Sequence, residues 1–157
     1  MKEIKILVFK LDNEFFATDI MEVERILGYD KPTALPDVPD FFEGVINYES
    51  GVLPIINLAK KFNFKESQSD DKKIIVVKKE KDKFGILVDS VSEVLSISEE
   101  EINASKEVST LISVRYITGI VKKNNNIIML LNLDKILTVE EEGIIFQGWR
   151  NCRKKER

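Results

Sequence analysis

The chain has 157 residues, 43% of them apolar, and a net charge of −3 spread over interspersed acids and lysines. That length suits one domain, or two small lobes sharing a core, and so diffuse an acidic balance excludes the basic face that nucleic-acid binding needs. Histidine is absent, which removes imidazole acid–base catalysis, histidine-paired nucleophiles, histidine metal ligation and phosphohistidine. The single cysteine, Cys152, has no partner for an internal disulfide. Together with the lack of a secretory leader this predicts a reducing, cytoplasmic setting. No run reaches the ~18 apolar residues of a membrane span.

In chain order, Ile4 to Leu11 is an apolar strand, Asp12-Asn13-Glu14 a polar turn, and Phe15 to Thr18 a returning strand. Asp19 to Leu27 mixes helical and extended spacing, so its type stays open. Gly28 to Asp40 holds Pro32, Pro36 and Pro39 and reads as a loop. Asp40 to Glu43 is expected to make one short helical turn. Gly44 to Leu58 then carries the densest signal, with two short strands on either side of the polar turn Asn47 to Gly51. The glycine of that turn is expected to supply a positive φ. Pro54 lacks an N–H, which predicts an edge or a bulge in the second strand. Ala59 to Phe64 reads as a short amphipathic turn or helix.

Lys65 to Lys73 is polar and reads as a surface connection. Lys73 to Lys79 is a strand with the run Ile-Ile-Val-Val, Glu80 to Lys83 is a charged turn, and Phe84 to Leu95 is largely β-branched. Ser98 is expected to cap a short helix begun by three glutamates. Tyr116 to Lys122 and Ile127 to Leu131, joined by three asparagines, form another hairpin. Asn132 to Leu137 reads as a helical turn.

The sequence repeats itself. Gly44-Val45 precede Asn57-Leu58 by the same interval as Gly119-Ile120 precede Asn132-Leu133, and Phe16, Val23 and Leu27 match Phe84, Val91 and Leu95 in spacing. The expectation is two similar β lobes over residues 1–64 and 73–137, with 138–157 a C-terminal tail or helix.

Several ordered motifs resemble the CheW family of chemotaxis coupling proteins. Phe9-Lys10-Leu11 is followed by Phe15-Phe16 and Asp19-Ile20. The pattern Leu-Pro-x-x-Pro-x-Phe-x-x-Gly-Val-x-Asn runs from Leu35 to Asn47, and Pro-Ile-x-x-Leu from Pro54 to Leu58. Gly85 to Leu95 and Gly119 to Leu137 match the closing elements. The resemblance covers about Ile6 to Leu137. It implies a mainly β fold, one domain of two five-stranded SH3-like β-barrel subdomains sharing a core, with short helices. It also implies a non-catalytic scaffold, without cofactor or metal, that couples chemoreceptors to the histidine kinase CheA. The implied partners are the cytoplasmic tip of a methyl-accepting chemotaxis protein and the CheA regulatory domain, at receptor arrays on the inner face of the membrane and without membrane insertion. A β-barrel ligand-binding module or small enzyme that borrowed the fold is the alternative.

Carried over by position, the resemblance places Val23, Arg25, Gly44, Tyr48, Glu49, Leu87 and Val88 at a receptor-binding groove, and Pro32, Leu35 and Pro36 in a loop for the kinase. Leu87 and Val88 could equally be core, and Ile26 is assigned to core rather than contact. The chain departs from the family where members read Asn-Leu-Arg-Gly, since it has Asn47-Tyr48-Glu49-Ser50 with Gly51 one place late. Upstream, Val-x-Glu-Ile has become Val23-Glu24-Arg25-Ile26. The expectation is that Arg25 and Glu49 face each other with exchanged sign. The acidic runs Asp70-Asp71 and Glu99 to Glu101 read as solvated faces. Asp89, the lone acid in an apolar strand, reads as a strand-end hydrogen-bond partner. The tail, with Ile144, Ile145, Phe146 and Trp149, is expected to cover an apolar patch rather than bind lipid.

Overall fold

The computed structural model describes residues 2–65, 70–79, 82–103 and 116–147. Expectations for 66–69, for Glu80-Lys81 and for the tail beyond 147, Trp149 and Cys152 included, lie outside these residues. The strands are β1 (Glu3–Leu11), β2 (Glu14–Asp19), β3 (Val23–Gly28), β4 (Phe42–Tyr48), β5 (Gly51–Asn57), β6 (Lys73–Lys79), β7 (Asp82–Val88), β8 (Ser90–Ser98), β9 (Ile102–Asn103), β10 (Ile117–Lys123) and β11 (Asn126–Leu131). Two hairpins turn on small polar residues that tolerate left-handed backbone: Asp12-Asn13 (φ 49° and 63°) and Asn124-Asn125 (φ 52° and 67°). Two central residues at positive φ give the twist that antiparallel strands need. In the β4–β5 turn the left-handed residue is Glu49 (φ 53°) and not Gly51, which corrects the expectation for that glycine.

The strands form a six-stranded sheet, ordered β8-β1-β2-β11-β10-β9, and a five-stranded sheet, ordered β3-β6-β7-β5-β4. The orders are one pattern used twice. Each has a hairpin (β1–β2 or β6–β7) lying parallel to one strand of a second hairpin (β11 or β5). The matched glycines fall at the same irregularity: register shifts between Phe42 and Gly44, and between Ile117 and Gly119. A Cβ on Gly44, at φ 133°, would lie 2.0 Å from the Thr33 carbonyl oxygen, and one on Gly119 would lie 2.5 Å from Ile102. The matched asparagines both cap short turns, Asn57 Oδ1 accepting from Lys60 N at 3.1 Å and Asn132 Oδ1 from Asp134 N at 3.1 Å.

The repeat units trade strands. β3 leaves its own half to pair with β6, and β8 leaves its half to pair with β1. Sheet membership therefore does not follow the division 1–64 and 73–137; the five-stranded sheet spans β3 to β7, and the other takes β1, β2 and β8 to β11. Among the described residues neither sheet closes into a barrel by backbone hydrogen bonds. Each curls round its own apolar interior, one built on Ile6, Val8, Ile97, Val121 and Ile128, the other on Ile46, Leu53, Ile55, Ile74 and Val76. Alternate residues of the same strands meet in a third, shared core: Leu7, Phe9 and Leu11 of β1, Ile75 and Val77 of β6, and Phe84, Ile86 and Val88 of β7. Both faces are buried, so these strands read as unbroken apolar runs.

Three local expectations are corrected. β5 is an interior strand; Pro54 is tolerated because its ladder to β7 starts only at Ile55. Asp40 to Glu43 forms a turn, Phe42 N donating to the Pro39 carbonyl at 3.0 Å, and runs straight into β4. Ser98 precedes a 3-10 turn at Glu99–Glu101 without a side-chain cap hydrogen bond. Asp19 to Leu27 resolves into a 3-10 turn, Ile20–Glu22, capped by Asp19, followed by β3. Ala59 to Phe64 overlaps α1 (Leu58–Lys61), which begins one residue earlier, and the tail contains α2 (Val139–Glu142) and a π-helical turn at Gly143–Gln147.

Candidate interaction surface

At the end of the five-stranded sheet the pairing Val23↔Val77 is followed by Arg25↔Val76, so Glu24 is the extra residue of a β-bulge. A bulge re-aims its side chains, and here it lets Glu24 and Arg25 both reach Tyr48, which lies on the opposite edge strand. The Tyr48 hydroxyl donates to Glu24 Oε2 at 2.6 Å, and Lys83 Nζ lies 2.9 Å from Glu24 Oε1. The Arg25 guanidinium carbon lies 5.6 Å from the Tyr48 ring centre, within cation–π range. Side chains thus join the two edges that the backbone leaves open. Hydrogen bonds from Tyr48 and then Lys83 hold the Glu24 carboxyl below the ordinary carboxylate range. Burial, and then the bond to Glu24, push the Tyr48 phenol up to about 12.

This arrangement replaces the expected Arg25–Glu49 pair. No ion pair joins those two among the described residues; the engaged acid is Glu24, its cation is Lys83, and Glu49 sits exposed in the turn. The reason is the bulge, which turns the residue before Arg25 toward the tyrosine.

The other expected site residues fall in different places. Leu87 faces the interior of the five-stranded sheet and Val88, 1% exposed, the shared core, so both are packing residues. Gly44 is buried and is glycine because Thr33 bridges back onto Val45, with N···O distances of 2.8 and 3.0 Å. Val23 is half-buried against the shared core. In the proline loop, Leu35 packs inward on the shared core, Pro32 is half-buried and Pro36 is exposed.

Ile26, assigned to core from sequence, is 41% exposed, and Val94 is 52% exposed. Residues opposite each other in register project from the same face. Ile26 pairs with Ile75 and Val94 with Leu7, so both stand on the shared-core side of their sheets. Each lies on a strand at the end of its sheet order. They occupy matched places in the repeat, beside Leu27 and Leu95. That match is the signal in the sequence for them, and it is weak because an apolar residue in a strand reads first as core.

Asp89 accepts from Asp12 N at 2.8 Å, joining the start of β8 to the first hairpin turn as a strand-end partner. Lys61 is nearly buried and donates to Glu141 Oε1 at 2.6 Å, with its ammonium 4.4 Å from the Phe41 ring centre. Burial works against the Glu141 charge, but Lys61 and Thr138 outweigh it and set the carboxyl below its ordinary range. With Ile145 fully buried in the shared core, the described part of the tail covers apolar surface, as expected. Among the described residues no cluster of acids or cysteine is arranged to hold a metal ion.

The model of the CheW-like domain matches residues 5–141. The chain is 34% identical to the chemotaxis protein CheW of Klebsiella aerogenes over 140 residues, 88% of this chain and 84% of that one. It is 33% identical to the chemotaxis protein CheW of Thermotoga maritima over 144 residues, 90% and 94% of the two chains. Among solved structures, the scaffolding protein TtCheW of Thermoanaerobacter tengcongensis superposes with a TM-score of 0.82 at 32% identity, covering 90% of this chain and 92% of that one.

Proposed function

The chain belongs to the CheW-like family, and from that premise we propose that it is the coupling adaptor of a bacterial chemosensory array, joining receptor tips to the regulatory domain of the kinase CheA. The observation that supports this most directly is the pair of exposed aliphatic residues, Ile26 and Val94, on the shared-core side of two end strands. An amphipathic helix docks on aliphatic anchors of this kind, and the receptor tip would supply it. Val23 then adds apolar surface on β3, and Arg25, Tyr48 and Glu49 set the polar margin of the contact. Pro32 and Pro36 present a loop that Leu35 and the Thr33 bridge tie down, which lowers the ordering cost of a kinase contact. The role is one of holding, and it assigns no reaction. No helix among the described residues is long and apolar enough to cross a membrane. The adaptor role itself is what would put the protein in the cytoplasm, recruited through its partners.

The test is binding of the purified chain to a receptor-tip fragment and to a CheA regulatory domain from the same genome. Ile26→Glu and Val94→Glu should each weaken receptor binding at least about tenfold, with the urea midpoint unchanged and kinase binding retained. Undiminished receptor binding in both variants would refute the assignment of this surface.

A further inference from the structure

The repeat matches the hairpins, the parallel contact and the bulges of one sheet with those of the other, and the mouths of the two curls are filled differently. In the five-stranded sheet the mouth of the curl is filled by Tyr48, which packs on the sheet's own interior and is held by the bulge residue Glu24. The six-stranded sheet has the same bulge: Phe9↔Val91 is followed by Val8↔Glu93, leaving Ser92 unpaired where the other sheet has Glu24. The place of Tyr48, opposite Gly51 beside the hairpin turn, is taken by Lys123, opposite Asn126. Lys123 gives no plug, because its ammonium is drawn to Glu101 at 3.0 Å. A cavity of about 160 Å³ opens there. Its apolar lining is Val8, Leu95 and Ile128, with Phe15 beside them. Ser92, Glu93 and Lys123 bring polar groups to it.

We propose that this open mouth is a socket for one phenol ring, the tyrosine side chain of a partner protein. The size matches a single ring, since a cavity of ~150 Å³ holds benzene. It is well below the ~300–1,000 Å³ of sites for whole small molecules, which favours an anchor side chain carried by a protein over a metabolite. The phenol chemistry follows from the counterpart: the same fold position in the other sheet holds a tyrosine whose hydroxyl reaches the bulge residue, and the open mouth offers the Ser92 hydroxyl and the Glu93 carboxylate for that hydroxyl.

The experiment is titration of the isotope-labelled full chain with p-cresol, toluene and N-acetyl-tyrosinamide, read by amide chemical shifts. Expected are saturable shifts centred on Phe15, Ser92, Leu95 and Ile128 with p-cresol and with the tyrosine amide, and at least about fivefold weaker binding of toluene. Lys123→Tyr combined with Ser92→Glu should rebuild the plug and abolish the shifts. Tyr48→Ala should open the matching mouth and create a second p-cresol site. No saturable shifts in the unaltered chain would overturn the proposal, and so would shifts that survive the rebuilt plug. Equal binding of toluene would overturn the phenol assignment, and p-cresol binding without tyrosine-amide binding would overturn the protein-borne tyrosine. The titration of the unaltered chain decides even if a variant fails to fold.

Discussion

Gly44 and Gly51 lie on one hairpin and carry opposite burdens. Gly44 combines a φ of 133° with a carbonyl 2.0 Å from where its Cβ would sit, whereas nothing lies within 4 Å of a Cβ on Gly51. Gly44→Ala should destabilise the fold by at least ~2 kcal/mol. Gly51→Ala should be neutral, or stabilising by up to ~1 kcal/mol through the unfolded chain. Urea unfolding of the two variants checks the contrast. Tyr48 gives a second test. Its phenol is pushed up to about 12, so the fold favours the protonated form. Stability linked to Tyr48 is then fully present below the ordinary tyrosine pKa near 10, and is lost as pH rises through about 12. In an ultraviolet titration of the chain's three tyrosines, Tyr48 should ionise near pH 12, and Tyr48→Phe should remove that step.

Strands and turns were largely legible because their signals are local. Lys73 to Lys79 matches β6 residue for residue, and the asparagine turn sits where the hairpin bends. The bulge at Glu24 was not legible, since it exists only in the pairing of β3 with β6. The expected Arg25–Glu49 pair is replaced for that reason, and Leu87 stays open between groove and core in the sequence because period-2 alternation does not say which of two apolar faces is the inner one. The tail element makes its own prediction. Thr138 and Glu141 form a reciprocal capping box, with Thr138 N donating to Glu141 Oε1 at 2.8 Å and Glu141 N to Thr138 Oγ1 at 3.0 Å. Beyond it, Ile145 reaches the shared core. Ile145→Ala should cost ~2–5 kcal/mol of global stability, measured by urea unfolding, rather than merely loosening the chain end.

For the whole molecule, the repeat was legible as matched Gly and Asn-Leu spacings, but the trading of β3 and β8 was not, because nothing in either half's sequence names the sheet its third strand joins. The trade makes the halves interdependent. Each sheet takes strands from both, and the shared core takes residues from both. Residues 1–64 or 73–157 expressed alone should stay unfolded by circular dichroism, and the intact chain should unfold in one transition whichever probe is followed.

The parallel contact between β2 and β11 sets Phe15 against Ile128 and Ala17 against Leu130. Translation delivers these partners in the opposite order from need: the first hairpin leaves the ribosome with an apolar face and an open edge, and waits for the last of the described strands to be made. Nascent-chain arrest just short of Asn126 should therefore hold the six-stranded sheet unformed, leaving Ile6, Val8 and Ala17, which pack on Ile128 and Leu130, to whichever chaperone reaches them first.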